Sequence, residues 1–240
     1  MSTYVLLHGG WSGGWVWQQV ADDLRAHGHR VFTPTLSGYG ERSHLLSPSI
    51  TLTTLVDDVI NVLAWEELEG VALIAHSLNG AVAQAVAARV PQRLSHLVLL
   101  DAFLVRDGES TADTFDSAYT AGIQQWVDAA GEGWFVPRLE PAEDSVDARE
   151  ARGRHTAFPW RPYLEPVKLG GLSSPTVART YILCTDREDS PVDTAILASA
   201  QRARADGWNV LEFPSGHVPM WTAPQHLSQL FQALAAGAQS

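Results

Sequence analysis

The chain has little cysteine, no long apolar run and no excess of positive charge, and each shortage excludes a class of protein. Cys184 is the single cysteine in 240 residues, so an internal disulfide is excluded. Its place in an apolar run predicts a buried strand position. No stretch reaches the about 18 consecutive apolar residues that a membrane-spanning helix requires. Residues 1–10 lack the basic and apolar segments of a signal peptide, so we expect a cytoplasmic protein.

The charge balance and composition limit the partners. Lys and Arg number 16 against 27 Asp and Glu, for a net charge of −11. No basic cluster is longer than the interrupted Arg152-Gly-Arg154, so we expect neither nucleic acid nor a membrane surface as a partner. A hydrophobic fraction of 45% in 240 residues favours one packed domain over 1–240. No set of His, Cys, Asp or Glu has metal-ligand spacing, so we expect no metal.

Apolar runs alternate with amphipathic segments towards both ends of the chain, which is the pattern of a parallel sheet flanked by helices. The predicted strands are 4–7, 30–33, 71–75, 97–100, 180–184 and 208–213, and the predicted helices are 17–27, 52–64, 80–90, 192–205 and 225–236. The alternation breaks over about 103–175, where tryptophans and other aromatic residues lie among prolines and acids. We therefore expect an α/β fold with this insertion as a cap over the site.

A serine follows the third predicted strand in the setting of a nucleophile. The strand 71–75 runs into Ser77, and an alanine-rich helix follows directly. Such a sharp strand-to-helix turn lifts a serine hydroxyl clear of the sheet, beside a base and backbone N–H groups. The first strand leads into the glycine-rich loop 8–14, which can bring backbone donors close to a developing oxyanion.

A histidine and two candidate acids follow other predicted strands. His217 lies just beyond the last strand and is the candidate base, since imidazole exchanges protons near neutral pH. Asp101 ends the apolar run 97–100, whereas Asp186 lies in a charged segment after the penultimate strand. A carboxylate that ends an apolar run is costly to desolvate unless something binds it. We favour Asp101 as the acid and keep Asp186 as the alternative.

With these residues in view, the chain resembles the α/β-hydrolase superfamily, in particular the salicylate-binding methylesterases, the hydroxynitrile lyases and related bacterial esterases. The resemblance rests on HGGWSGGWVW at 8–17, PTLSGYGERSH at 34–44, HS at 76–77, LLDAF at 99–103 and GH at 216–217. It implies a Ser-His-Asp esterase without a cofactor. It also implies an oxyanion hole formed by the backbone N–H groups of Gly10 and Leu78.

Three departures from that family bear on the site. Ala75 and Asn79 stand where relatives usually have glycine, so Asn79 is a candidate substrate contact. Trp11, beside the expected oxyanion hole, is a second candidate contact. An ungapped alignment puts Arg187 where the plant esterases have their acid, which also favours Asp101. Val218 replaces the lysine that hydroxynitrile lyases carry after the histidine, so lyase activity is disfavoured.

The sequence therefore predicts a serine hydrolase that cleaves a small-to-medium carboxylic ester through an acyl-enzyme intermediate. Two alternatives stay open. One is a cofactor-independent lyase or oxygenase on the same scaffold, and the other is a catalytically inactive homologue that binds a ligand. The sequence does not distinguish an ester from a thioester or lactone substrate. It also leaves the oligomeric state open, including a homodimer.

Overall fold

The computed structural model describes residues 1–140, 142, 145–170 and 177–237. Over these residues the strands are β1 (Thr3–Leu7), β2 (Arg30–Phe32), β3 (Val71–His76), β4 (Leu94–Leu100), β5 (Phe135–Val136), β6 (Phe158–Pro159), β7 (Ala178–Cys184) and β8 (Asn209–Phe213). The helices are α1 (Gln18–Ala26), α2 (Leu52–Trp65), α3 (Gly80–Arg89), α4 (Ser117–Ala130), α5 (Val146–Ala151), α6 (Arg161–Leu164), α7 (Pro191–Ala205), α8 (Pro219–Thr222) and α9 (Pro224–Gly237).

Six of these strands form one sheet in the order β2-β1-β3-β4-β7-β8. Every neighbouring pair in it is parallel; for example, Val5 lies opposite Leu73 and Leu73 opposite Leu97. The predicted parallel sheet flanked by helices is therefore confirmed. Cys184 is buried at the end of β7, as its apolar surroundings predicted.

Both faces of the sheet are covered by helices, so its strands are apolar on both sides. Val5 and Leu7 point into a core shared with α2, α3 and α7. Tyr4 and Leu6 point to the opposite face, where α1 and α9 pack.

The helices present apolar stripes with a spacing of three or four residues, as on α2, where Leu55, Val56, Val59 and Leu63 are buried. The Thr51 side chain caps α2 by accepting a hydrogen bond from the Thr54 N–H.

The insertion between β4 and β7, which we call the cap, contributes α4, α5, α6 and a short hairpin. The hairpin pairs β5 with β6 in antiparallel fashion. Two hydrogen bonds join the cap to the loop after β1: Trp11 Nε1 donates to the Pro137 carbonyl at 2.8 Å, and the Thr156 N–H donates to the Trp11 carbonyl at 2.9 Å. Residues 141, 143, 144 and 171–175 of the predicted insertion lie outside the described residues. None of the helices in the described ranges is both long and apolar enough to span a bilayer.

Candidate active site

The candidate residues meet at the carboxyl edge of the sheet. The loop 8–14 follows β1, Ser77 follows β3, Asp101 follows β4 and His217 lies four residues beyond β8. Because all these strands are parallel, their carboxyl ends lie at the same edge, where open α/β sheets bind ligands. Residues that are far apart in the sequence therefore lie close together.

Ser77 occupies a strained turn between β3 and α3. Its φ is +56°, a left-handed conformation that is unusual for a residue with a side chain. A short 3-10 turn, Ser77–Asn79, leads directly into α3 at Gly80. A Cβ at Gly80 would lie only 2.5 Å from the Phe103 carbonyl oxygen, so the close passage of helix and loop requires glycine here. The strand-to-helix turn thus requires glycine at 80, whereas it accommodates a side chain at 79.

A continuous chain of hydrogen bonds links Ser77, His217 and Asp101. His217 Nε2 lies 3.0 Å from Ser77 Oγ, and His217 Nδ1 lies 2.7 Å from Asp101 Oδ2. The carboxylate can only accept, so it fixes the proton on Nδ1 and leaves Nε2 as the acceptor for the serine hydroxyl. This is the arrangement that general base activation of a serine requires.

Asp101 is completely buried and is held by several donors. Oδ1 accepts hydrogen bonds from the Cys184 N–H at 2.9 Å and from Arg187 Nη2, and Oδ2 accepts one from Arg187 Nη1 at 3.1 Å. Burial by itself raises the pKa of Asp101, but the hydrogen bonds and charges of His217 and then Arg187 outweigh burial and lower the pKa below its ordinary value. The carboxylate is therefore ionised at neutral pH, although none of its surface reaches water.

Asp186, the alternative acid, does not occupy this position. Its side chain is exposed, and its backbone N–H donates to the Ser215 carbonyl. Within the described residues its carboxylate has no hydrogen bond to His217. The structure thus brings Asp101 to the histidine and leaves Asp186 at the surface.

The glycine loop after β1 passes directly beside the serine turn. A Cβ at Gly9 would lie 3.0 Å from Ser77 Cβ, and one at Gly10 would lie 2.8 Å from Leu78 Cδ1. The lack of a side chain at both glycines leaves room for this close approach. The loop that carries Gly10 therefore lies against the turn that carries Leu78, and the role of these two residues as oxyanion donors stays a prediction.

Two buried histidines that the sequence did not single out fix the surrounding loops. His8 Nδ1 donates to the Gly9 carbonyl at 2.8 Å, while Nε2 accepts from the Leu36 N–H at 3.1 Å. His76 Nε2 donates to the His217 carbonyl at 2.7 Å. Burial is the main cause that lowers the pKa of His8 to about 4 and that of His76 to about 3, so both are neutral at pH 7. In the sequence, both histidines belong to motifs that carry the family resemblance, the one at 8–17 and the one at 76–77.

Asn79 lies beneath the site, which corrects the expectation that it contacts the substrate. Its side chain is fully buried, and both ends of its amide are used. Nδ2 donates to the His8 carbonyl at 2.5 Å, and Oδ1 accepts from the Tyr163 hydroxyl at 2.8 Å. Asn79 therefore ties the glycine loop to the cap.

Two cavities meet at Ser77, and Trp11 and His217 line both of them. The first, of about 170 Å³, which we call the aromatic cavity, is almost entirely apolar. Its other lining residues are Leu78, Phe103, Phe115, Tyr119, Ile123, Val136, Phe158, Trp160 and Val192. The second, of about 110 Å³, which we call the glycine-loop cavity, is more polar and includes Gly9, Gly10, Ser12 and His155. Trp11 lines both cavities, and its contact with substrate stays a prediction.

The described residues contain no cluster of three His, Cys, Asp or Glu side chains that could hold a metal ion. The site brings together the side chains of a serine, a histidine and a buried carboxylate.

Comparison with known proteins identifies similar sequences and folds. The model of the alpha/beta hydrolase family matches residues 4–227. A carbendazim hydrolyzing esterase of Nocardioides sp. (strain SG-4G) is 33% identical over 244 residues, covering 98% of this chain and 100% of that protein. Methyl jasmonate esterase 1 of Vitis vinifera is 26% identical over 257 residues, covering 96% of this chain and 95% of its own.

A solved structure with the same fold covers almost the whole chain. It is an extracellular alpha/beta-hydrolase from a Paenibacillus species, described as sharing structural and functional homology with tobacco salicylic acid binding protein 2. The two superimpose with a TM-score of 0.81 at 24% sequence identity, over 97% of this chain and 98% of that one.

Proposed function

Because the chain belongs to the alpha/beta hydrolase family, we propose that it cleaves a small-to-medium carboxylic ester at Ser77 through an acyl-enzyme intermediate. Its similarity to named esterases assigns the chain to the carboxylic ester hydrolases. The observation that carries the mechanism is the unbroken chain of hydrogen bonds from Ser77 Oγ through His217 to Asp101.

Acylation begins when Ser77 Oγ attacks the ester carbonyl and passes its proton to His217 Nε2. The new bond from oxygen to carbon turns the carbonyl oxygen into an oxyanion, which the N–H groups of Gly10 and Leu78 stabilise. Collapse of this intermediate breaks the bond to the alcohol, and the alcohol takes the proton from Nε2 as it leaves. The acyl group stays on Ser77.

Deacylation repeats these steps with water as the nucleophile. His217 accepts a proton from water, the water oxygen attacks the acyl carbon, and Ser77 Oγ leaves with the proton from Nε2. Throughout the cycle the ionised Asp101 holds the imidazole in the tautomer that leaves Nε2 free to accept. It also stabilises the imidazolium while that form exists.

The two cavities suggest how the substrate lies. An apolar cavity of about 150 Å³ can hold one benzene molecule, so the aromatic cavity of about 170 Å³ suits one aromatic ring or a short branched chain. The acyl group must stay in place through both half-reactions, and we assign it to this cavity. The more polar glycine-loop cavity then receives the alcohol and admits the attacking water. A cytoplasmic location, a single domain and the possibility of a homodimer stay predictions.

Replacing the nucleophile tests this proposal. We expect Ser77→Ala to lower kcat for p-nitrophenyl acetate by at least about 10³-fold, since a triad without its serine retains only residual catalysis. Ser95→Ala, a surface substitution at a serine that bonds the Gly70 carbonyl, is the matched control and should retain full activity. Circular dichroism should show an unchanged fold for both variants. Ser77→Ala protein with undiminished turnover after purification would refute the assignment.

The alternatives differ from the proposal in the reactivity of Ser77. A fluorophosphonate probe labels an activated serine covalently, so a lyase or oxygenase that uses Ser77 only for binding, or an inactive ligand-binding homologue, should label poorly. Side chains at 75 and 79, where relatives usually have glycine, are the feature of the sequence that leaves room for non-hydrolytic chemistry. Asn79 lies beneath the site with both amide ends bonded, which weakens that reason.

A further inference from the structure

We infer that Arg187 is a positioning residue for the proposed hydrolysis. Its guanidinium group fixes the Asp101 carboxylate in the orientation that presents Oδ2 to His217 Nδ1. The inference rests on the proposed function, because Asp101 matters to turnover only if His217 is the base. Arg187 lies three residues beyond β7, where the alignment with the plant esterases places their acid, and the inference gives this arginine a role of its own.

The contacts between the two side chains form a fork. Arg187 Nη1 donates to Asp101 Oδ2 at 3.1 Å, and Nη2 donates to Oδ1. Such paired bonds between planar groups fix their relative orientation as well as adding charge-assisted strength. With the Cys184 N–H on Oδ1 and His217 on Oδ2, each carboxylate oxygen accepts two hydrogen bonds. Rotation of the carboxylate would break all four.

The arginine itself is anchored on its far side. Nη1 also donates to Asp193 Oδ1 at 2.9 Å, and Asp193 Oδ2 accepts from the Ser190 hydroxyl at 2.6 Å at the start of α7. The Arg187 side chain is only 15% exposed, so water competes little for these contacts. Because Arg187 lines neither the aromatic nor the glycine-loop cavity, it acts through Asp101 and has no part in holding the substrate.

The charge of the arginine is also needed. Asp101 has no exposed surface, and a buried carboxylate with too few partners is strongly disfavoured. Other groups facing it are the Tyr181 and Cys184 side chains, both of which are neutral because burial raises their pKa values. His76 is also neutral at pH 7, since burial lowers its pKa. Arg187 is therefore the permanent cation beside Asp101 among the described residues.

Substitution of Arg187 tests the inference. We expect Arg187→Met to lower kcat for p-nitrophenyl acetate by about 10- to 100-fold, the size of effect that a small misplacement of a catalytic group produces. KM should stay within about twofold, since the arginine does not touch the substrate cavities. Arg187→Lys keeps the charge but loses the fork, so its kcat should lie between those of the native and methionine proteins.

A double-mutant cycle separates positioning from a general structural effect. If Arg187 acts through Asp101, then adding Arg187→Met to Asp101→Asn should lower kcat no further than Asp101→Asn alone. If instead the two losses multiply, the arginine acts independently of the acid and the inference fails.

Arg202→Met is the matched control, because Arg202 also lies partly buried and bonds Glu109 at 2.6 Å, away from the site. It should retain the native kcat even where its melting temperature falls as far as that of Arg187→Met. Native kcat in Arg187→Met overturns the inference; if that variant does not fold, native kcat in Arg187→Lys does so. These results are distinct from failure of the proposed function, which would appear as turnover by Ser77→Ala.

Discussion

Burial separates the two aspartates that follow the neighbouring strands β4 and β7. Asp101 has no exposed surface, whereas Asp186 is exposed. Burial raises the cost of an unpaired charge and strengthens the interaction of a paired one. A carboxylate that accepts the His217 Nδ1–H in the absence of water therefore orients the imidazole more firmly than one in solvent.

Exchanging each acid for its amide distinguishes the two candidates. We expect Asp101→Asn to lower kcat/KM for p-nitrophenyl acetate by about 10³- to 10⁴-fold, because the amide can stabilise the wrong imidazole tautomer and removes the charge that favours imidazolium. Asp186→Asn, in which an exposed side chain changes in the same way, should stay within about twofold of the native value.

Kinetics at saturating and limiting substrate give both constants, and melting curves check that each variant is folded. A steep loss on Asp186→Asn with little loss on Asp101→Asn would exchange their roles. Such a result would require the β7–α7 loop to rearrange in solution.

Several site residues could be predicted because strand ends in a parallel sheet converge. Ser77, Asp101 and His217 each follow an apolar run, so the sequence alone indicated that they share an edge. The partners of Asn79 could not be predicted, since Tyr163 comes from the cap and His8 from the loop after β1. The fork between Arg187 and Asp101 likewise depends on side-chain directions that sequence spacing does not contain.

Secondary structure was predictable wherever the hydrophobic period was long enough. The predicted helix 52–64 corresponds to α2, which buries a regular apolar stripe, and the predicted strand 71–75 corresponds to β3, which is a continuous apolar run buried at every residue. Within the cap, β5 and β6 have two residues each and α6 has four. Elements of that length span only about one period of a strand or a helix, which is too short for a repeated pattern, so the sequence indicated only an aromatic insertion.

One cap element, α4, forms a wall of the aromatic cavity through Tyr119 and Ile123. We expect Ile123→Trp to fill part of this space and to lower kcat/KM for p-nitrophenyl benzoate by at least about 10-fold, because overpacking excludes a ring of similar size. The same variant should hydrolyse p-nitrophenyl acetate within about threefold of the native rate.

Gln125→Trp adds the same ring to an exposed position of α4 and is the matched control for Ile123→Trp. It should leave both substrates unaffected. Equal losses on acetate and benzoate in Ile123→Trp would contradict the assignment of the acyl group to the aromatic cavity, since acetate needs none of that space.

At the scale of the whole molecule, the fold contains several buried histidines that are neutral at pH 7. His8 bonds the glycine loop and the Leu36 N–H, and His76 bonds the His217 carbonyl. Burial lowers the pKa values of these two histidines, and that of His96, from the ordinary 6.5. Because the buried histidines bind protons less readily than they do in the unfolded chain, acid favours unfolding.

The sign of this sensitivity follows from proton binding. The pKa of His8 is about 4 and that of His76 about 3 in the folded protein. Between about pH 4 and 6.5 the unfolded chain therefore binds protons on both residues that the folded protein does not bind. As the pH is lowered across this window, the free energy of unfolding therefore decreases, by about 1.4 kcal/mol per histidine and pH unit. Asp101 acts in the same direction only below its ordinary pKa of 3.8, because its pKa is lowered.

Urea unfolding at pH 7 and pH 5 measures this effect. We expect the free energy of unfolding to fall by at least about 4 kcal/mol between these pH values, a large fraction of the stability of a typical domain. His76→Gln removes one titrating group and should reduce the fall by about 2 kcal/mol, since the glutamine amide can still donate to the His217 carbonyl. His44→Gln removes an exposed histidine and should leave the fall unchanged. Equal stability at both pH values would mean that the buried histidines gain protons without opening the fold.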